Sequence, residues 1–84
     1  MNEQEYQILD ELYFIISFDE LSERTEIPEK QLLESLWNLW QKKWIRILID
    51  YQTETFPTQE DFFKNYQQYY YFASKDGLLA HNSK

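Results

Sequence analysis

The stretch Pro28-Glu29-Lys30-Gln31-Leu32-Leu33-Glu34-Ser35-Leu36-Trp37-Asn38-Leu39-Trp40-Gln41-Lys42-Lys43-Trp44, continued by Ile45-Arg46-Ile47-Leu48-Ile49, decides how this chain is read. On a helical wheel Leu32, Leu33, Leu36, Trp37, Leu39, Trp40 and Trp44 share one broad arc. Gln31, Glu34, Ser35, Asn38, Gln41 and Lys42 share the opposite arc, with Lys30 at its edge. The separation predicts an amphipathic helix with one face against a core. Pro28 suits the first helical turn, where its missing N–H has no partner in any case. Glu29 favours the positive end of the helix dipole, and Lys42 and Lys43 favour the negative end. From Trp44 to Ile49 the period switches to two in a run rich in β-branched residues, which predicts a strand.

Upstream, Asn2 followed by Glu5 reads as an N-cap with its reciprocal partner. Leu9, Leu12, Tyr13 and Ile16 follow i, i+3, i+4, i+7 spacing, so a first helix is expected from about Asn2 to Ile16. Phe14 falls on its polar side. A short second helix is expected over Glu20 to Thr25, capped by Ser17 or Asp19 and anchored by Leu21. Downstream, Tyr69 to Ala73 reads as a second strand, and pairing it with Trp44–Ile49 gives a hairpin with a long connection, residues 50–68. Thr58 caps a helical turn expected inside that connection, with Phe62, Phe63 and Tyr66 as its anchoring face. Ser74 caps a short closing helix to His81, with Leu78 and Leu79 inward and Gly77 weakening it.

Composition limits what such a chain does. Its 84 residues suit one domain, taken as residues 1–84. Three Trp, seven Tyr and six Phe supply large buried areas per side chain, which matters because no Cys is available for a disulfide or a thiolate metal site. No secretory segment or membrane span is visible, so a cytoplasmic location is expected. The net charge is −7, unevenly spread. Residues 1–26 hold eight acids and only Arg24 as a base, whereas residues 27–48 hold Lys30, Lys42, Lys43 and Arg46 against Glu29 and Glu34. Residues 49–68 are acidic again with Lys64 the lone base, and residues 69–84 hold Lys75 and Lys84 against Asp76. Attraction to phosphate must come from the middle of the chain, because the acidic whole repels nucleic acid until salt screens it beyond about 8 Å.

The segment Glu20-Leu21-Ser22-Glu23-Arg24-Thr25-Glu26-Ile27-Pro28-Glu29-Lys30-Gln31-Leu32-Leu33-Glu34-Ser35-Leu36 resembles the helix-turn-helix of bacterial transcription regulators. Leu39-Trp40-Gln41-Lys42-Lys43-Trp44-Ile45 looks like the exit from their recognition helix into the first wing strand. Tyr71-Phe72-Ala73-Ser74-Lys75-Asp76-Gly77-Leu78-Leu79 is similar to their last wing strand and final helix. The resemblance is to the winged helix-turn-helix superfamily and implies a mainly α fold, a three-helix core with a small antiparallel β-hairpin. Such regulators often place Gly between the second and third helices and again after the third. Glu26 and Lys43 stand there in this chain, so either these residues adopt positive φ at some cost or the turns differ.

By that resemblance the third helix enters the major groove of duplex DNA. The DNA-binding candidates are then Lys30, Gln31, Glu34, Ser35 and Asn38 on the helix, with the basic residues Lys42, Lys43 and Arg46 after it. Gln and Asn can read adenine, and Lys can reach guanine or phosphate. Glu29 and Glu34 oppose phosphate, and any amphipathic helix needs a polar face. The alternative is a protein-interaction module of the same fold, with Phe14, Trp37 and the acidic first helices as its surface, since interface anchors favour large aromatic residues. A homodimer suits either reading. His81 is the only His and is expected in a tail. With no Cys and no Gly-rich phosphate loop, no cofactor, metal site or catalytic constellation is expected, and the chain is read as a binding protein and not an enzyme.

Overall fold

The computed structural model describes residues 1–83; Lys84, counted above in the charge balance, lies outside them. Asn2 opens the first helix as its spacing to Glu5 predicts. Its Oδ1 accepts from the Glu5 N–H at 2.7 Å, and Glu5 Oε1 accepts in return from the Asn2 N–H at 3.3 Å. Helix α1 spans Glu3–Glu11 and stops five residues short of the expected end. The Leu12 carbonyl leaves the helical path and accepts from the Ala73 N–H. Ile16–Ser17 is then a strand, β1, paired with Tyr71 and Tyr70. The β-branched pair Ile15-Ile16 favours this extended path. Ile16 is buried as the helical stripe requires, but from a strand.

Ser17 caps helix α2, Phe18–Thr25, with its Oγ accepting from the Glu20 N–H. The turn that follows passes through Glu26 at φ 56°, in the left-handed region. Helix α3 runs Glu29–Gln41, with Pro28 just ahead of it as N-cap, and ends through Lys43 at φ 65°. Both positions where Gly was missed therefore do take positive φ. A residue with a Cβ loses about 1–2 kcal/mol there. Trp44, expected on the helical arc, lies past the end of α3, where its N–H returns to the Leu39 carbonyl.

Strand β2, Ile45–Leu48, turns at Asp50–Thr53 into β3, Glu54–Thr55. Helix α4, Gln59–Asn65, is capped by Thr58 as expected and leads through a 3-10 turn, Tyr66–Gln68, into β4, Tyr70–Ala73. Helix α5, Lys75–Asn82, is capped by Ser74. The expected hairpin of β2 and β4 is the middle of a four-stranded antiparallel sheet in the order β1-β4-β2-β3. Both outer strands are two residues long, too short to carry a period of their own.

Leu9 of α1 and Leu12 at its C-cap, Leu21 of α2, and Leu32, Leu36 and Leu39 of α3 are sealed against Ile45, Ile47 and Tyr71 of the sheet. Burying each such side chain contributes about 1.5–3 kcal/mol. Phe62 of α4 is also sealed, so the long connection contributes to the core. Helix α5 forms with Gly77 in its first turn. A Cβ there would sit 1.9 Å from the Trp44 carbonyl oxygen, so the absence of a side chain lets α5 seat on the end of α3. Leu78 packs on the core, but Leu79 is exposed instead of inward. His81 is buried in α5, not in a tail. It stacks on Tyr6 with ring centroids 4.2 Å apart, and its Nδ1 lies 2.8 Å from the Tyr13 hydroxyl. Among the described residues no helix is long and apolar enough to cross a membrane.

Candidate binding surface

Helix α3 presents its polar side outward. Lys30, Gln31, Glu34 and Asn38 are exposed there, so the amphipathic reading of this helix stands. Two of the other candidates are engaged elsewhere. Ser35 is buried, and its hydroxyl donates to Gln4 Oε1 at 3.2 Å, so it faces α1 and not the open side. Lys42 turns back over the Trp44 ring and places its ammonium 2.9 Å from both carboxylate oxygens of Glu5. Glu5 is only 3% exposed, so Lys42 neutralises a buried acid and is not available to a ligand. Gln31 also accepts from Gln4 Nε2 at 2.6 Å, which holds its amide at the surface. Lys43 and Arg46 are exposed and form no ion pair among the described residues.

The two aromatic candidates part company. Phe14 stands 76% exposed in the turn between α1 and β1. Trp37 is half-buried: α4 lays Phe62 and Phe63 on its ring, with centroids 5.4 and 6.2 Å away. Trp37, expected as an interface anchor, is therefore covered by the 50–68 connection.

That connection, with Ile49 just before it, holds the apolar residues which the reading of α3 left out. Phe56, Tyr51 and Ile49 are 73%, 62% and 51% exposed, all on the arm formed by the end of β2, the Asp50–Thr53 turn and β3. Tyr51 leans on Tyr70, and Phe56 leans on Trp40 with centroids 5.9 Å apart. Asp50 organises the turn. Its Oδ1 accepts from the Gln52 N–H at 2.8 Å, and this hydrogen bond, with others from Thr53, holds the carboxyl below its ordinary value. Phe56 ahead of Pro57 was the available signal: proline ends a ladder and commonly leaves its neighbour at an edge.

Between the arm and the end of α3 lies a groove of about 470 Å³, lined by Trp40, Gln41, Lys43, Ile45, Arg46, Glu54, Phe56 and Ser74. Its wall at Lys43 is fixed by Ser74, whose hydroxyl donates to the Lys43 carbonyl at 2.7 Å while accepting from the Gly77 N–H at 3.1 Å. Among the described residues no group of three or more His or carboxylate side chains converges to hold a metal ion. No family model, curated protein or solved structure matches the chain.

Proposed function

We propose that this chain is a winged-helix binding module that contacts a protein partner through the outer side of α3 and the β2–β3 arm. The chain path supports the winged-helix reading: a short strand between α1 and α2 pairs outside β4, and α3 leads directly into β2. In that reading α3 is the recognition helix and the β2–β3 arm belongs to the wing. Fold alone does not select the partner, so the surface must.

The observation that carries the choice is the arm itself. Phe56, Tyr51 and Ile49 lie open to solvent on it, and large aromatic side chains are favoured anchors at protein interfaces. With Lys42 held by Glu5, the DNA-binding candidates keep only Lys30, Lys43 and Arg46 as cations, and Glu29, Glu34, Asp50 and Glu54 lie close to them in sequence. Duplex binding rests on several uncompensated phosphate contacts, which this balance does not offer. A second reading, a DNA-binding transcriptional regulator, is favoured by one feature: Lys30, Gln31 and Asn38 share the exposed side of α3.

Two measurements separate them. The tagged chain and its Tyr51→Ser and Phe56→Ser variants are used to capture partners from native cells, and the purified chain is titrated onto random duplex DNA at low and moderate salt. A protein retained by the wild type and lost with both variants, without salt-sensitive DNA binding, supports the proposal. DNA binding that weakens steeply with salt and disappears with Lys43→Glu and Arg46→Glu overturns it in favour of the regulator.

A further inference from the structure

We infer that the groove between the end of α3 and the β2–β3 arm receives one bulky apolar side chain flanked by carboxylates, from an acidic segment of the partner protein. The inference rests on the protein-binding reading above and names the chemistry of that partner.

The groove has a cause in the sequence. Strands β2 and β3 pair Ile47 with Thr55 and Leu48 with Glu54. Extending that register sets Phe56 against Arg46 and Pro57 against Ile45. Proline carries no N–H, so the ladder cannot continue and the chain departs from β2 there. The apolar lining of the space left open comes from the Trp40 and Phe56 rings, with Ile45 behind them in the core. The Trp40 and Phe56 rings meet at 43° with centroids 5.9 Å apart, an apolar wedge on one side of this space. A volume of about 470 Å³ admits a large side chain with its flanking backbone.

The rim supplies the charge preference. Lys43 and Arg46 meet only Glu54 as an opposing charge in the lining. A net positive rim on a chain of net charge −7 is a local exception, and it acts within about one Debye length, ~8 Å. Arg46 offers a planar fork that pairs with a carboxylate through two hydrogen bonds. The backbone that carries Lys43 is fixed: the Ser74 N–H donates to the Trp44 carbonyl at 2.9 Å, and the Ser74 hydroxyl to that of Lys43. A preorganised wall loses little freedom on binding. An apolar wedge in the same groove as two cations matches an acidic peptide with an aromatic side chain. A duplex backbone offers the charge without the apolar group, and single strands are tracked by a row of stacking rings along a positive channel, not by one wedge.

The test is an NMR titration of the ¹⁵N-labelled full chain with the peptide acetyl-Asp-Glu-Phe-Asp-Glu-amide to millimolar concentration at low salt. Parallel titrations use the same peptide with Ala for Phe, the basic peptide acetyl-Lys-Lys-Phe-Lys-Lys-amide, and a short oligothymidylate. The expected result is saturable movement of the Trp40 indole N–H and of the Lys43 to Arg46 amides with the acidic Phe peptide, and binding about fivefold weaker or worse for the other three. Arg46→Glu, with an otherwise unchanged spectrum, lowers affinity for the acidic peptide by about fivefold or more. Absence of saturable shifts at these positions overturns the inference, as does tighter binding of the oligothymidylate. Sedimentation of the chain alone is the last arm: concentration-dependent association abolished by Arg46→Glu assigns the groove to a second copy and overturns it too. If the peptide fails while Tyr51→Ser still abolishes partner capture, the groove assignment falls and the protein-binding reading stands.

Discussion

Lys42 Nζ lies 2.9 Å from each carboxylate oxygen of Glu5, joining the end of α3 to the start of α1 across 37 residues of sequence. Glu5 is also the reciprocal half of the capping box, so one buried carboxylate serves a helix start and an inter-helix tie. Lys42→Met removes the counter-charge from a group that water hardly reaches. The expected loss is about 1–3 kcal/mol in urea denaturation, the range for stranding a buried polar group. Partner capture by the folded variant is expected to match the wild type, because Lys42 does not face the groove.

Gly77 and Trp44 make a second tie. Gly77→Ala forces a methyl group into the Trp44 carbonyl, which is backbone and has no alternative rotamer. The helix must slide or detach at its first turn. A loss of about 1–3 kcal/mol is expected from overpacking, with hydrogen exchange accelerating in α5 before the sheet.

Lys43 separates stability from binding. At φ 65° its Cβ is unfavourable, so Lys43→Gly relieves local strain while adding freedom to the unfolded chain. These effects offset, and the variant is expected to be within about 1 kcal/mol of wild type in denaturant. Lys43→Val, branched at Cβ, is expected to be clearly less stable. Both weaken the acidic peptide, since both remove one of the two cations at the rim.

Tyr71 sets an alkaline limit. Its ring is buried, and burial, reinforced by Tyr69 and Tyr66, raises the phenol above its ordinary 10.0. The folded chain therefore keeps this proton where the unfolded chain releases it. Its contribution is complete below about pH 10 and declines as pH rises beyond. Denaturation midpoints from about pH 8 to about pH 11 are expected to fall less steeply in Tyr71→Phe. That variant forfeits the 2.8 Å hydrogen bond to the Tyr66 carbonyl, about 1 kcal/mol, at every pH below the transition.

Asp50 acts in the opposite direction. The Gln52 N–H, with Thr53, lowers its carboxyl below the ordinary 3.8, so the turn is stabilised at neutral pH and loosens as pH falls below that value. Amide shifts of Gln52 and Thr53 are expected to titrate together in acid, and Asp50→Ala is expected to abolish the transition.

What could be read in advance was local. Ser17, Thr58 and Ser74 cap the helices they precede, because a cap involves residues three apart. The switch of period after Trp44 identified β2, and the resemblance located the turns at Glu26 and Lys43 but left open whether they take positive φ, which both do. Strand β1 was hidden because Ile16 satisfies a helical stripe and a strand equally well, and two residues show no alternation. The candidate surface was harder still. Whether Lys42 is free or engaged depends on Glu5, whether Trp37 is open depends on Phe62 and Phe63, and whether Ser35 faces out depends on Gln4. Each is a tertiary contact that the periodicity of α3 does not contain. The groove was missed because it arises where a ladder stops, which follows only once the register of β2 with β3 is known.

Pro57 has a consequence outside recognition. A sheet whose last strand ended in a run of free amides would invite another chain to add on and propagate. Here the outermost strand offers only two residues, one of them the negatively charged Glu54, before Pro57 turns the chain away. The chain can thus leave three large apolar side chains in water on that arm without presenting a template for edge-to-edge aggregation.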